Sequence, residues 1–297
     1  MNDKLIDMKN KNIIITGANS GIGKETAIAL AKMGSTIIMF CRNKERGEKA
    51  REEIKQKANK SKVELIIADL SDPNSIYVAV SRYMELYDTL DVLINNAGLF
   101  LKEKTIEDTG YETTFAVNYL GHYLLTLLLV DLLVKSAPSR IINVSSEAHR
   151  FTKLNLKDIN MEKKYRSFRA YSNSKLANIM FTYDLSRRLE GSGVTVNALH
   201  PGFVNTNFGK NQYNKLTNPF AKLSGLFTIN TAKGAKTSIY LASSPEVIDI
   251  TGKYFRKSKV VRSSRESQKL KLQEELRELS QEYVKNTQLV PPELNVF

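Results

Sequence analysis

The chain has 297 residues, of which 42% are hydrophobic, and its formal net charge at pH 7 is +13. This composition excludes a wholly disordered protein, and the length suits one α/β domain. The only cysteine is Cys41, which excludes an intrachain disulfide framework and every multi-cysteine metal site. The three histidines, His122, His149 and His200, are not at metal-ligand spacing, so we predict no metal site.

The positive charge is spread along the chain, and only the run 253–265 is one-sided, with six basic residues and no acidic one. No zinc finger or other nucleic-acid motif accompanies it, so we predict no specific nucleic-acid partner, while contact of this run with a membrane surface stays open. Residues 1–12 are polar, and the most apolar stretch, 119–134, is shorter than the roughly 20 residues that a span needs. We therefore expect a cytoplasmic protein without a membrane span.

Short apolar runs alternate with longer helical patterns from the first residues onward. We predict strands at 13–16, 35–40, 63–68, 92–95, 140–145 and 194–200, with a seventh at 254–255. We predict helices at 23–33, 45–58, 74–86, 113–135 and 170–190. This alternation predicts a single doubly wound, Rossmann-type α/β domain with about seven parallel strands and helices on both faces of the sheet.

Two segments do not follow the alternation. Residues 203–230 contain aromatic side chains without a clean period, which favours a substrate lid, with a plain surface loop as the alternative. Residues 263–286 place leucines and a tyrosine at helical spacing, which predicts an amphipathic C-terminal helix. We interpret residues 1–297 as one domain with its core at about 10–256.

A glycine-rich sequence, Thr16-Gly-Ala-Asn-Ser-Gly-Ile-Gly-Lys24, follows the first strand and opens a helix. Such glycines allow a tight turn and a close approach to a dinucleotide pyrophosphate, which the positive end of the helix then holds. After the second strand the chain has Arg42 where NAD sites usually carry an acidic residue. A guanidinium suits a 2′-phosphate, so we predict NADP rather than NAD, with a merely solvated Arg42 as the alternative.

A candidate acid/base pair lies in Tyr171-Ser-Asn-Ser-Lys175, where the four-residue spacing puts phenol and ammonium on one helical face. A nearby cation lowers the pKa of a tyrosine, and such a pair can exchange a proton with an alcohol or carbonyl oxygen. Ser146 ends a predicted strand at the sheet edge where ligands bind, so its hydroxyl could bond the same oxygen.

These motifs occur in a familiar order. They are Thr16-Gly-Ala-Asn-Ser-Gly-Ile-Gly23, Asp69-Leu70, Asn95-Asn-Ala-Gly98, Asn118, Ser146, Tyr171-x-x-x-Lys175 and Pro201-Gly202. The order and approximate spacing resemble the short-chain dehydrogenase/reductase superfamily over about residues 10–256. The chain is most similar to the retinol dehydrogenase branch, through Gly23-Lys-Glu-Thr-Ala27, Asn118-Tyr-Leu-Gly-His122 and Asn143-Val-Ser-Ser146.

The resemblance implies roles for matching positions. Tyr171 would be the catalytic acid/base, Lys175 would lower its pKa and hold the nicotinamide ribose, Ser146 would orient the substrate oxygen, and Asn118 would position a water. The implied cofactor site comprises Gly17, Asn19, Ser20, Gly21, Ile22, Gly23, Arg42, Asp69, Leu70, Asn95, Ala97, Gly98, Asn118, Tyr171, Lys175, Pro201, Gly202, Val204 and Thr206. The helices that hold Asn118 and Tyr171 would form the interface of a homodimer or homotetramer.

The resemblance predicts reversible, NADPH-preferring hydride transfer to the carbonyl of a lipophilic aldehyde or ketone. The N-terminal membrane segment of many animal retinol dehydrogenases is not seen in this sequence, which makes retinoids a doubtful substrate. Two alternatives stay open: reduction of a ring double bond, and a cofactor-loaded sensor or scaffold with little turnover. We interpret His122 and His149 as packing or turn residues and Cys41 as a buried, inert thiol.

Overall fold

The computed structural model describes residues 7–59, 61–202 and 230–289. Within those ranges, eight strands form one sheet in the order β3-β2-β1-β4-β5-β6-β7-β8. The strands are β1 Asn12–Thr16, β2 Thr36–Cys41, β3 Val63–Ile67, β4 Val92–Asn95, β5 Ser139–Val144, β6 Val194–His200, β7 Lys253–Arg256 and β8 Lys259–Val261. Strands β1 to β7 pair in parallel, and β8 pairs antiparallel with β7. The predicted doubly wound parallel sheet is confirmed, while strand β8 was not predicted.

The central strands are apolar runs because both faces of the sheet are covered. In β1, Ile13, Ile14 and Ile15 are all fully buried. Successive side chains of a strand point to opposite faces, and Ile14 packs in one apolar layer while Ile13 and Ile15 pack in the other. A continuous apolar run, rather than an alternating one, is the pattern of a strand buried on both sides.

Seven long helices, within the described ranges, flank this sheet. They are α1 Gly21–Lys32, α2 Lys44–Lys57, α3 Pro73–Leu86, α4 Thr113–Lys135, α5 Ser167–Arg188, α6 Thr231–Ser243 and α7 Leu270–Thr287. Helices α3, α4, α5 and α7 contribute to one apolar layer and α1, α2 and α6 to the other. Helix α6 was not predicted, and the predicted lid at 203–230 lies outside the described residues except for Asn230.

Helix α4 is long and apolar enough to cross a membrane, and 83% of its most apolar window is buried inside the fold. It is the one such helix among the described residues. Buried core helices commonly pass the same length and hydropathy test, so this helix is weak evidence for a span. Its turn at Ala116–Leu120 is π-helical, a local irregularity that is frequent at functional sites.

Helix α7 covers the outer side of α4 and α5. Its Ser280 hydroxyl hydrogen-bonds the Tyr119 hydroxyl of α4 at 2.7 Å, in a buried position. Arg277 donates to the Asp184 carboxylate of α5 at 3.0 Å. The preceding residue, Leu276, is buried. The helix begins inside the segment 263–286, for which the sequence predicts an amphipathic helix, and ends one residue beyond it, and its apolar side faces the body of the domain.

Candidate active site

The sheet brings the predicted site residues to one edge, because the carboxyl ends of its parallel strands all lie there. The order of the strands reverses between β1 and β4, and ligands of such sheets bind at this switch point. Four predicted segments follow strands at this edge. They are the glycine-rich loop after β1, residues 96–98 after β4, Ser146 after β5, and Pro201 with Gly202 after β6. Val204 and Thr206 lie outside the described residues.

The glycine-rich loop has the geometry of an anion cradle. Gly17 and Gly21 have φ values of +67° and +57°, which favour glycine. A Cβ at Gly23 would lie 2.6 Å from the Gly17 carbonyl oxygen, so helix α1 approaches the loop only because residue 23 is glycine. Ser20 makes no side-chain cap on α1, and no acidic residue lies in the first turn. The positive end of this helix therefore fits a pyrophosphate.

A buried hydroxyl ties this loop to the segment after β4. The Thr16 hydroxyl accepts backbone hydrogen bonds from Asn96 and Ala97, both at 2.9 Å. It also lies 2.9 Å from His122 Nε2, while His122 Nδ1 lies 3.1 Å from the Asn118 carbonyl oxygen. The carbonyl can only accept, so Nδ1 carries the proton and Thr16 donates to Nε2. Burial lowers the pKa of His122 to about 3, so the ring stays neutral, as this network requires.

Asn118 lies in the π-helical turn of α4 and connects three parts of the site. Its side-chain Nδ2 donates to the Leu99 carbonyl at 3.0 Å and to the Ser174 hydroxyl at 3.1 Å. Its Oδ1 accepts from the Leu99 backbone N–H at 2.8 Å. Its backbone oxygen accepts from Asn178 Nδ2 at 3.1 Å. These contacts fix the loop after β4 to α4 and α5; the water that Asn118 is expected to position stays a prediction.

The predicted acid/base pair is buried at the start of α5. Tyr171 and Lys175 are 8% and 4% exposed, and the Tyr171 and Ser146 side chains are hydrogen-bonded to each other. Lys175 Nζ lies 5.6 Å from the centroid of the Tyr171 ring and donates to the Val144 carbonyl at 2.9 Å. The structure thus brings Ser146, Tyr171 and Lys175 into one cluster.

Burial sets the protonation states of this pair. Burial raises the pKa of Tyr171 to about 12, although the hydrogen bond with Ser146 acts in the opposite direction. Burial lowers the pKa of Lys175 to about 8. In the chain by itself the pKa of Tyr171 is therefore raised, because desolvation outweighs the hydrogen bond with Ser146. The expectation that Lys175 lowers this pKa stays a prediction. Tyr171 is a neutral phenol at pH 7.

Arg42 and Asp69 stand together at the ends of β2 and β3. Their side chains approach to 3.7 Å, and the Arg42 side chain is 66% exposed. The other carboxylate oxygen of Asp69 accepts from the Ser71 N–H and hydroxyl at 3.0 and 2.8 Å. Leu70 is buried beside α4. The two segments are so close that a Cβ at Gly121 would collide with the Leu70 carbonyl. The guanidinium is thus exposed toward solvent at the sheet edge.

Asn95 and Gly98 serve the framework of the site. Asn95 is 2% exposed, and its Nδ2 donates to Asn143 Oδ1 at 2.8 Å and to the Thr126 hydroxyl at 3.0 Å. Its side chain therefore points into the protein. A Cβ at Gly98 would lie 3.5 Å from Lys175 Nζ, so the glycine leaves room for the ammonium. Asn143, to which the sequence motif gives no role, accepts this bond from Asn95 and donates to the Thr182 hydroxyl at 2.9 Å.

Cys41 also supports the loop. The backbone N–H groups of Ala18 and Asn19 hydrogen-bond its sulfur, and burial raises the pKa of its thiol to about 11. A thiol with this pKa is almost entirely protonated at pH 7 and reacts poorly. The predicted burial of Cys41 is confirmed, and its low reactivity stays a prediction.

Comparison with known proteins agrees with this geometry. A short chain dehydrogenase family model matches residues 11–217. Human retinol dehydrogenase 14 is 45% identical over 263 residues, covering 84% of this chain and 78% of that protein. An uncharacterised protein from Mycobacterium paratuberculosis superposes with a TM-score of 0.76 at 32% identity, covering 95% of this chain and 96% of that chain. A short chain dehydrogenase from Escherichia coli, complexed with NADPH, has a TM-score of 0.68 at 22% identity, covering 86% and 100%.

The chain belongs to the short-chain dehydrogenase/reductase family. Within that family it is similar to the retinol dehydrogenases, since human retinol dehydrogenase 13 is also 43% identical over 250 residues, covering 82% of this chain and 76% of that protein.

We expect Thr16→Val to lower the free energy of unfolding by about 2 to 4 kcal/mol, because it leaves His122 Nε2 and two backbone N–H groups without the hydroxyl. Thr16→Ser keeps the hydroxyl and loses one methyl group, so we expect a loss of about 1 kcal/mol. Urea unfolding of both variants measures the difference. Equal losses would show that the hydroxyl contributes nothing to the network.

Proposed function

We propose that this protein is an NADPH-preferring oxidoreductase that transfers a hydride reversibly between the nicotinamide and the carbonyl or alcohol carbon of a lipophilic substrate. The observation that carries the proposal is the buried phenol of Tyr171, hydrogen-bonded with the partly buried Ser146 and with Lys175 beside it, at the edge where the glycine-rich loop lies. Aldehydes and ketones are the substrate class, because this pair handles a proton at a carbonyl or alcohol oxygen.

The residues around the loop fit the phosphates of NADP. The uncapped start of α1 would hold the pyrophosphate, and the exposed guanidinium of Arg42 would hold the 2′-phosphate. Asp69 and Leu70 at the end of β3 would contact the adenine. When bound, NADPH supplies the hydride. The NADPH found in the structurally similar Escherichia coli enzyme supports the choice of cofactor.

The protein's own part is to give the proton. Tyr171 is a neutral phenol at pH 7, which is the form that can donate to a carbonyl oxygen as negative charge develops there. The Ser146 hydroxyl would donate to the same oxygen and hold the substrate in line. Lys175 Nζ, 5.6 Å from the ring centroid, would offset the charge of the phenolate left behind. This protonation state favours the reductive direction.

Oligomeric state and location are further proposals. We expect a homodimer or homotetramer, as the sequence predicts, and the outer side of α4 and α5 is covered by α7 of the same chain. The interface between copies should therefore use a surface other than the one that α7 occupies. The cytoplasmic location stays a prediction.

Turnover of NADPH with a panel of aldehydes and ketones, retinal included, tests the function directly. We expect Tyr171→Phe to lower kcat by about 100-fold or more, because it removes the proton donor, while the Kd for NADPH stays within about twofold. Tyr183→Phe, on the same helix, makes the same chemical change at a tyrosine that bonds Ser263, and we expect it to retain activity. Tight NADPH binding without turnover of any carbonyl would favour a sensor.

The cofactor preference depends on Arg42. We expect Arg42→Gln to raise the KM for NADPH by about 10- to 100-fold, because a charge-assisted contact with the 2′-phosphate is lost, and to leave the KM for NADH nearly unchanged. Arg82→Gln on α3, which removes another exposed arginine, is the matched control. Equal changes for both cofactors would contradict the assignment.

The pH dependence follows from Lys175, whose pKa burial lowers to about 8. Its positive charge is present below that pH and is lost above it. We expect kcat/KM for carbonyl reduction to be flat below about pH 8 and to fall above it, because the phenolate left on Tyr171 is then no longer stabilised. Stopped-flow NADPH oxidation measures the profile. A rate that rises from pH 8 to 10 would show that the phenolate is the working form.

A further inference from the structure

The turn that carries Ser146 is tied down through a histidine that the proposed chemistry does not use. Ser146 precedes a short 3-10 turn, Glu147–Phe151, and its hydroxyl accepts from the Ala148 N–H at 3.2 Å. The Ser146 carbonyl oxygen accepts from the His149 backbone N–H at 3.1 Å and lies 2.6 Å from His149 Nδ1. The hydroxyl and the carbonyl of Ser146 are therefore both held within the turn.

The other side of the His149 ring is bound to the C-terminal part of the domain. Its Nε2 accepts from the Ser264 backbone N–H at 3.0 Å. Because Nε2 accepts, the proton is on Nδ1, and the ring donates to the Ser146 carbonyl. The ring also packs edge-on against Tyr254 of β7, with centroids 5.1 Å apart, and is fully buried. Both nitrogens are thus bonded to backbone groups, so His149 is not a proton carrier.

Glu147 fixes the same turn from a second direction. Its carboxylate accepts from the Tyr254 hydroxyl and from Arg150 Nε, both at 2.9 Å. Its backbone N–H donates to His200 Nδ1 at 3.3 Å, at the end of β6. The turn Glu147–Phe151 is therefore held by β6, β7 and the segment after β8. Within this turn, the His149 side chain bonds Ser146 directly.

We propose that His149 is a positioning residue: its ring donates to the Ser146 carbonyl and thereby aims the Ser146 hydroxyl at Tyr171. This inference rests on the proposed function of Ser146. The Ser264 N–H, in the segment that follows β8, keeps Nε2 an acceptor and so makes Nδ1 the donor to Ser146. A catalytic side chain misplaced by about 1 Å lowers the rate by about 100-fold, so loss of a residue that positions Ser146 should lower kcat.

Three variants separate the two bonds of the ring. His149→Leu removes both. An asparagine amide reaches about as far as Nδ1, so His149→Asn keeps the donor to Ser146. A glutamine amide reaches about as far as Nε2, so His149→Gln keeps the acceptor for Ser264. We expect His149→Leu and His149→Gln to lower kcat by about 10- to 100-fold with an unchanged KM for NADPH, and His149→Asn to recover most of it.

A double-mutant cycle with Ser146→Ala tests whether His149 acts through Ser146. We expect His149→Leu to cost less than about twofold in kcat once Ser146 is alanine, because there is no hydroxyl left to position. An equal loss of kcat in both backgrounds, or a loss that follows thermal stability across the variants, would overturn the proposal. If His149→Leu does not fold, His149→Gln serves in its place in the cycle.

A second measurement does not depend on turnover. In protein labelled with ¹³C at tyrosine Cζ, the Tyr171 signal reports its hydrogen bond with Ser146. We expect Ser146→Ala, His149→Leu and His149→Gln to shift this signal in the same direction, and His149→Asn to leave it near the native position. A Tyr171 signal moved by Ser146→Ala and unmoved by the first two His149 variants would refute the positioning role. Shifts as expected without carbonyl turnover would refute only the proposed function.

Discussion

Removal of water from Tyr171 and Lys175 is the constraint on which the site depends. Burial acts on the two groups in opposite senses, since it favours the neutral phenol and disfavours the ammonium. The pair therefore stays as a protonated acid beside a cation that titrates near neutral pH. A surface tyrosine and lysine at the same helical spacing would keep their ordinary pKa values and could not be tuned to a reaction.

The rest of the domain fixes the position of Tyr171 and Lys175 relative to the glycine-rich loop. Thr16 links the end of β1 to the segment after β4, and it also bonds His122. The other nitrogen of His122 bonds the Asn118 carbonyl in α4. Asn118 in turn bonds Ser174, the neighbour of Lys175 on α5. A continuous chain of buried hydrogen bonds thus joins the loop where phosphates would bind to the tyrosine that would give the proton. Loss of one member would leave buried polar groups without partners and would destabilise the fold.

Much of this could be predicted from sequence because it is encoded locally. A window of a few residues is enough to predict the apolar runs of β1 to β6 and the turn formed by the glycines at 17, 21 and 23. The four-residue spacing of Tyr171 and Lys175 likewise fixes their common helical face. Strand β8 and helix α6 carry weaker local signals. Strand β8 has only three residues, mostly exposed, and α6 is a mildly amphipathic run that follows a sequence without a clean period. The hydrogen bonds of Thr16 with residues 96, 97 and 122, and that of His149 with Ser264, could not be predicted, because they join residues 80 or more positions apart. The upward shift of the Tyr171 pKa could not be predicted either, since burial is a property of the packed domain.

The protonation state of Tyr171 is the central claim and can be measured without any substrate. A pH titration of the ¹³C Cζ signal of Tyr171, identified by its absence in Tyr171→Phe, follows the ionisation of this one phenol among the 13 tyrosines of the chain. With its pKa raised by burial to about 12, the signal should keep the position of a neutral phenol from pH 6 to pH 10. A signal that moves to the phenolate position near pH 7 would contradict the account and make Tyr171 a base rather than an acid in the resting protein.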